Sequence, residues 1–213
     1  MRDQWYGDNR DLAKWSVLVH LARREAVSAI LHVAMCRPRP APAPLVTAHG
    51  KVDPPPEVFR HFRDLDDIQR LAVATGLAIE VVKETFTDRT AYFGRVCDRV
   101  GAPRGGSMLV LLDPDVGLAP EIHGPEHVTS TEVAAVFAAL RPGDLLVCYQ
   151  HARKQKDWRG RARRAFANAP GLPSFEVEVL QSEVALDVLL LAVKKGVEEE
   201  AANFEARAAQ EQR

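Results

Sequence analysis

Apolar residues recur along the chain in two alternating patterns, one helical and one extended. Between residues 11 and 26 they fall at the spacing of three and four that is typical of one helix face: Leu12, Trp15, Leu18, Val19 and Ala22. Asp8 or Asn9 is a suitable N-cap for this helix. The uncharged apolar run at 29–36 that follows predicts a buried strand.

The same alternation of helix and strand continues through most of the chain. Helices are predicted over 64–76, 87–101, 129–143 and 156–169, and strands over 77–86, 107–115 and 144–151. Gly76 is a typical helix stop, and Thr129 with Glu132 forms a capping box. Residues 174–196 then hold two consecutive strands, the first alternating and the second almost continuously apolar.

Strands that alternate with helices predict a parallel sheet covered on both faces, and the final pair predicts an antiparallel hairpin at one edge. The expected fold is therefore α/β, a single Rossmann-like, doubly wound domain over residues 1–196. Residues 197–213 form a polar, helix-prone tail. The region 37–56 interrupts the pattern with prolines, which predict an extended, polyproline-like loop.

Charge and cysteine content narrow the class of protein. The formal net charge of -1 excludes a globally basic nucleic-acid binder but permits a local basic patch. The 3 cysteines show no pairing or metal-ligand spacing, which favours a reducing compartment. The first residues lack the apolar stretch of a signal peptide, and no apolar run reaches the roughly 18 residues of a membrane helix. We therefore expect a cytoplasmic protein.

Candidate chemistry lies where two predicted strands end. Asp113, Pro114 and Asp115 follow one strand, and His151 closes the next. In a parallel sheet, ligands bind beyond the carboxyl ends of the strands, so these residues are expected on one rim. The aspartates either cap the following turn or do chemistry.

Two close carboxylates could share a divalent metal, which would make the protein a metal-dependent nuclease or phosphohydrolase. His151 could approach either aspartate as a general base, or face solvent. His123, Glu126 and His127 match no metal-ligand signature and are interpreted as part of a polar loop.

A basic run follows the second of these strands. Its candidate nucleic-acid-binding residues are Arg153, Lys154, Lys156, Trp158, Arg159, Arg161, Arg163 and Arg164. Lysine and arginine bind phosphates, and an exposed tryptophan stacks on a base. The alternative is a solvated helix face with Trp158 packed in the core.

Two short segments resemble a known family. "LLDPDVGL" at 111–118 looks like a variant of the D/N-P-P-Y/F motif of adenine-N6 methyltransferases, and "YGDNRDLAKW" at 6–15 looks like the "AGN-x-AD-V-x-K-H" start of those that modify large-subunit ribosomal RNA. Gly7, Asp11 and Lys14 match that start directly. The order of elements is also similar to the class I S-adenosylmethionine-dependent methyltransferase fold.

The resemblance implies S-adenosylmethionine as cofactor and RNA or DNA as partner. It places Tyr6, Gly7, Asp8 and Lys14 over the cofactor site, and it makes Asp113 the acceptor for the amino group of a flipped adenine. Asp115 and Val116 depart from the motif because neither can stack on a base. Prolines also stand where class I enzymes have a glycine-rich turn. A non-catalytic binding module of the same fold is therefore a further alternative.

Overall fold

The computed structural model describes residues 9–37, 45–47, 50–52, 67–119, 124–154 and 156–196. The helices in this part of the chain are α1 (Asn9–Arg24), α2 (Asp67–Thr75), α3 (Arg89–Gly101), α4 (Ser130–Ala139) and α5 (Trp158–Asn168), with a 3-10 turn at Ser174–Glu176. The strands are β1 (Ala29–Val33), β2 (Leu45–Thr47), β3 (Gly50–Val52), β4 (Ala78–Val82), β5 (Met108–Leu112), β6 (Gly117–Leu118), β7 (His127–Val128), β8 (Leu145–His151), β9 (Glu178–Leu180) and β10 (Val188–Lys194).

Six strands form the central sheet in the order β4-β1-β5-β8-β10-β9. The pairs that β1 makes with β4 and β5, and the pair of β5 with β8, are parallel. β10 runs antiparallel to both β8 and β9. The predicted α/β fold, a mostly parallel sheet with an antiparallel hairpin near its end, is confirmed. Because β1 has neighbours on both sides, the chain reverses direction across the sheet between β1 and β5, where such folds bind ligands.

Helices cover both faces of this sheet, as predicted for a doubly wound domain. Successive side chains of a strand point to opposite faces, so Leu109 and Leu111 of β5 pack with α1 and α2. Val110 and Leu112 pack with α3, α4 and α5. These four side chains are fully buried. The near-continuous apolar sequence of β5 follows from this double coverage.

The helix ends follow their sequence signals. Asp88 caps α3 by accepting a hydrogen bond from the Ala91 N–H at 2.9 Å. Thr129 and Glu132 form the predicted capping box at the start of α4. Gly76 ends α2 with a φ of 72°, the left-handed backbone that glycine adopts without strain.

Two predictions differ from the structure. Part of the region 37–56 is not an extended loop, since β2 and β3 pair as a short antiparallel hairpin. The residues of β2 and β3 include no proline and keep the N–H groups that a ladder needs. The polar loop before α4 also contains a short strand, because β6 and β7 pair in parallel. Residues 38–44 and 53–66 lie outside the described residues.

The predicted tail at 197–213 also lies outside the described residues. Across the part of the chain that the structure describes, no helix combines the length and the apolar character of a membrane span.

Candidate functional site

A cluster of charged side chains is buried at the carboxyl end of the sheet, on the face that α1 covers. His32 continues the face of Ile30 on β1, and Asp113 continues the face of Leu111 just after β5. The two strands are in register, with His32 opposite Leu111, and the Asp113 N–H donates to the Val33 carbonyl at 3.1 Å. Strand alternation therefore directs both polar side chains toward α1.

Asp113 is the centre of this cluster. Its Oδ2 accepts hydrogen bonds from Lys14 Nζ and from His32 Nε2, each at 2.7 Å. Lys14 Nζ also lies 2.7 Å from Asp11 Oδ1, one helical turn earlier in α1. The four residues, here called the Lys14–Asp113 cluster, are Asp11, Lys14, His32 and Asp113. At most 7 % of any of them is exposed.

Burial and ion pairing set the charges in the cluster. Burial disfavours ionisation of Asp113, but the Lys14 ammonium and the His32 hydrogen bond hold its pKa below the usual range. Burial also disfavours the charged form of Lys14, yet the two carboxylates raise its pKa. For His32, burial prevails and lowers the pKa. Lys14 and Asp113 are therefore an ion pair at neutral pH, and His32 is neutral.

A neutral His32 has one donor nitrogen and one acceptor nitrogen. Because an ionised Asp113 can only accept, the proton of His32 is on Nε2. Its Nδ1 is buried and has no hydrogen-bond partner among the described residues. The Trp15 ring packs edge-on against His32, with 5.5 Å between centroids, and Lys14 Nζ lies 5.4 Å from the centre of the Tyr149 ring. These rings keep water away from the ion pair.

The two aspartates of the motif have separate partners. Asp115 pairs with Arg37, which follows β1, and Arg37 also lies 3.8 Å from Glu126. The expectation that both aspartates face one site is therefore wrong. Pro114 between them is buried, and the chain bends at Asp115 and Val116. Within the described residues no group of three or more potential ligands is arranged to hold a metal ion, so the structure does not support the metal-dependent alternative.

Gln150 fixes the loop that carries Asp115. Its Oε1 accepts from the Leu118 N–H at 3.0 Å, and its Nε2 donates to the Val116 carbonyl at 3.2 Å. Gly117 has a φ of 120°, and a Cβ there would lie 2.5 Å from the Gln150 amide. The glycine in the segment "DPDVGL" is therefore favoured by its backbone conformation, and a Cβ there would also displace the Gln150 amide.

His151 lies beside a carboxylate that the sequence did not suggest. Its Nδ1 is 3.8 Å from Asp187 Oδ2, and Asp187 accepts from Arg10 Nη2 at 2.7 Å. Its backbone N–H donates to the Val116 carbonyl at 2.9 Å, which joins the end of β8 to the segment just before β6. A role for His151 as a general base stays a prediction.

The predicted nucleic-acid-binding residues divide into two groups. Four are held by internal contacts: Arg153 donates to the Leu118 carbonyl, Arg159 to Gln181, Arg163 to the Val177 carbonyl and Arg164 to Asp157. Lys154, Lys156 and Arg161 are exposed, and their side chains make no hydrogen bond or ion pair with other described residues. Trp158 is half-buried, and the Arg159 guanidinium stacks on its ring at 4.8 Å.

Several predicted residues lie outside the described residues, among them Tyr6, Gly7, Asp8 and His123. Sequence reasoning missed His32 and Arg37. His32 is the polar residue of the otherwise apolar run at 29–36, and a polar side chain in a strand buried on both faces needs a partner. The sequence therefore already indicated that His32 has a buried polar partner. The pairing of Arg37 with Asp115 depends on how the loops fold and has no local signal.

The turn after β1 is also informative. Met35 has a φ of 47°, in the left-handed region that usually requires glycine, and its side chain is fully buried in the core. Its N–H donates to the Tyr92 hydroxyl at 3.1 Å, which helps to hold this conformation. Glu84 follows the neighbouring strand β4 and accepts from Arg99 at 2.7 Å, with 39 % of its side chain exposed.

No protein-family model matches the chain, and no curated protein is significantly similar to it in sequence. Among solved structures, a protein from Thermobifida fusca provisionally described as a methyltransferase is 14% identical, with a TM-score of 0.42. A DUF574 family protein from Streptomyces avermitilis is 13% identical, with a TM-score of 0.37. Each alignment covers 88% of this chain and 82% of the other. Likenesses at this level carry no argument about activity, and the narrower resemblance to ribosomal RNA adenine-N6 methyltransferases stays a prediction.

The neutral state of His32 makes stability depend on pH. Its pKa in the folded protein is below the ordinary value of about 6.5. When the pH falls below about 6.5, the unfolded chain takes up a proton at His32 that the folded chain does not, so the free energy of unfolding decreases. We expect His32→Gln to reduce this decrease in denaturant unfolding between about pH 7.5 and 5.5.

His20→Gln is the matched control, because His20 lies exposed on α1. Equal pH dependence in the wild type and the His32 variant would contradict the assignment. NMR titration of the His32 ring in the wild type checks it without a substitution, since the pKa of the ring should lie below the ordinary value of about 6.5.

Packing at Gly117 gives a second prediction. Gly117→Ala combines a left-handed φ with a Cβ placed against the Gln150 amide, so we expect it to lower the free energy of unfolding by at least about 2 kcal/mol. Gly94→Ala is the control, because a Cβ at this helical position meets open space. It should be neutral or raise stability by up to about 1 kcal/mol. Similar values for both variants in urea unfolding would show that Gln150 does not constrain this loop.

Proposed function

We propose that this chain is a methyltransferase-like protein that acts on or binds RNA or DNA. One observation carries the proposal: exposed cations and Trp158 follow β8 directly, and β8 pairs in parallel with β5, the strand that ends at Asp113. Cations for phosphates and an aromatic ring for bases thus adjoin the edge of the sheet where this fold binds ligands.

The exposed cations are suited to phosphate binding because their side chains reach solvent. The acidic residue near Arg161 is Asp157, whose pKa is lowered by a hydrogen bond from Arg164 and also by the Arg161 charge. Lys154, Lys156 and Arg161 are free of ion pairs within the described residues. Arg159 supports the Trp158 ring by stacking on it. This surface is local, which agrees with a net charge near zero for the whole chain.

S-adenosylmethionine is the cofactor that the fold implies, and the described residues fit it in two respects. The turn after β1 has the left-handed backbone that a glycine would give, with the Met35 side chain directed into the core rather than toward a ligand. Glu84 follows the strand next to β1, where an acidic residue in a doubly wound sheet binds ribose hydroxyls. When bound, the cofactor would supply an electrophilic methyl group.

Asp113 would act on the methyl acceptor. As an ionised carboxylate of lowered pKa, it can accept a hydrogen bond from an amino group and orient that group. Its Oδ2 already accepts from Lys14 and His32, and only 3 % of its side chain is exposed. Contact with a substrate therefore requires α1, which carries Lys14, to shift. Lys14 and His32 are positioning residues that hold the carboxylate ionised.

Because Lys14 and His32 already bind Asp113 Oδ2, a second candidate is also favoured. It is a non-catalytic module of this fold that binds nucleic acid. In that case the Lys14–Asp113 cluster is purely structural, and nucleic-acid binding depends on the basic surface alone. The two candidates differ in their need for S-adenosylmethionine.

The basic surface predicts salt-dependent binding of nucleic acid. We expect fluorescence anisotropy with labelled RNA and DNA to give a log Kd that rises with log salt concentration, by about 0.7–0.9 for each phosphate contact. Arg161→Glu should weaken binding and reduce this slope, whereas Arg95→Glu, an exposed arginine on α3, should change neither. Equal affinities for the two variants, or no binding at low salt, would refute the nucleic-acid part of the proposal.

Calorimetry with S-adenosylmethionine separates the two candidates. The methyltransferase predicts saturable binding that Glu84→Gln weakens about tenfold, by loss of a charged hydrogen bond worth roughly 1.5 kcal/mol. Glu80→Gln is the control, since Glu80 also pairs with Arg99 but lies within β4. Absence of binding at millimolar cofactor, with nucleic-acid binding intact, would leave the non-catalytic module.

A further inference from the structure

A groove between α1 and α2 is open on the face of the domain that α1 covers. Its volume is about 420 Å³, and its apolar lining includes Leu12, Trp15, Val19 and Leu71. Leu12 is 58% exposed, although it belongs to the apolar stripe of α1. An apolar stripe that is left partly uncovered marks a surface that another element can bury.

The groove has a basic end. His20 and Arg23 line it near the C-terminal end of α1. Both are exposed, and neither makes a hydrogen bond or ion pair within the described part of the chain. An occupant with an apolar stripe and acidic flanks would complement this lining.

The described chain ends at residue 196, close to the C-terminal end of α1. β10 ends at Lys194, whose Nζ lies 2.8 Å from Glu25 Oε2, just after α1. As a helix, the 17 residues at 197–213 would extend about 25 Å, and the stretch of α1 from Leu12 to Arg23 is about 17 Å long. The segment is therefore long enough to follow the groove.

The sequence of this segment has the required pattern. Val197, Ala201, Phe204 and Ala208 fall at intervals of four, three and four, which places them on one face of a helix. At 100° per residue, Glu200 and Glu205 flank this face, whereas Glu199 lies opposite it.

We propose that residues 197–213 dock as an amphipathic helix in the α1–α2 groove of the same chain, with Phe204 on the apolar lining and Glu200 near Arg23. The apolar face is small, so docking depends on the high effective concentration that the short connection to β10 provides. The proposal does not depend on the proposed function.

Hydrogen exchange of the full chain tests the docking. Amides of residues 197–213 and of α1 should exchange about tenfold faster in Phe204→Asp than in the wild type, because docking protects both segments. Phe175→Asp is the matched control, since Phe175 is 72% exposed near β9 and lies outside the groove. Wild-type exchange at 197–213 that already equals that of Phe204→Asp would overturn the proposal.

A charge exchange tests which face of the docked helix contacts the groove, here called its register. Arg23→Glu should speed exchange in 197–213, and adding Glu200→Arg should restore protection. Adding Glu199→Arg instead should not restore it, because that residue lies on the opposite face. Equal rescue by both would overturn the register, and protection that grows with protein concentration would assign the groove to the segment of a second copy.

Discussion

The ion pair between Lys14 and Asp113 joins the first helix to the centre of the sheet. Both partners are almost fully buried, and Asp11 and His32 supply the remaining contacts. Removing one partner of such a pair costs roughly 3–5 kcal/mol because the other charge is left buried and alone. Such a pair specifies where α1 lies more than it adds net stability, since two buried apolar residues would pack as well.

This constraint explains why two aspartates separated by one proline have different environments. Asp113 ends the strand on the face that α1 covers, and its partners come from α1 and β1. Asp115 follows a turn and pairs with Arg37 in the loop after β1. Gln150 and Gly117 then hold the turn against β8. Asp113 therefore lies in the buried Lys14–Asp113 cluster, whereas Asp115 is more accessible to solvent.

The end of the sheet that carries Asp113 and the basic surface after β8 adjoin each other, and the proposed binding of nucleic acid rests on this arrangement. Four of the seven cations in the basic run make internal contacts, and two of these, Arg153 and Arg163, donate to the carbonyls of Leu118 and Val177. The cations of the run that remain exposed without an ion pair in the described part of the chain are Lys154, Lys156 and Arg161. In the proposed methyltransferase, contact between a substrate and Asp113 requires α1 to shift, because Lys14 of α1 occupies this carboxylate.

The sequence by itself determined the helices, the strands of the central sheet and its doubly wound, mostly parallel arrangement, because hydrophobic periodicity and capping are local. It also located Asp113 and Lys14, which short motifs mark. The tertiary structure alone decided that these two side chains meet, although 99 residues separate them. It also decided that Asp115 pairs with Arg37 and that four cations of the basic run are engaged. Such pairings depend on the register of strands and the path of loops, which long-range packing fixes and no local pattern records.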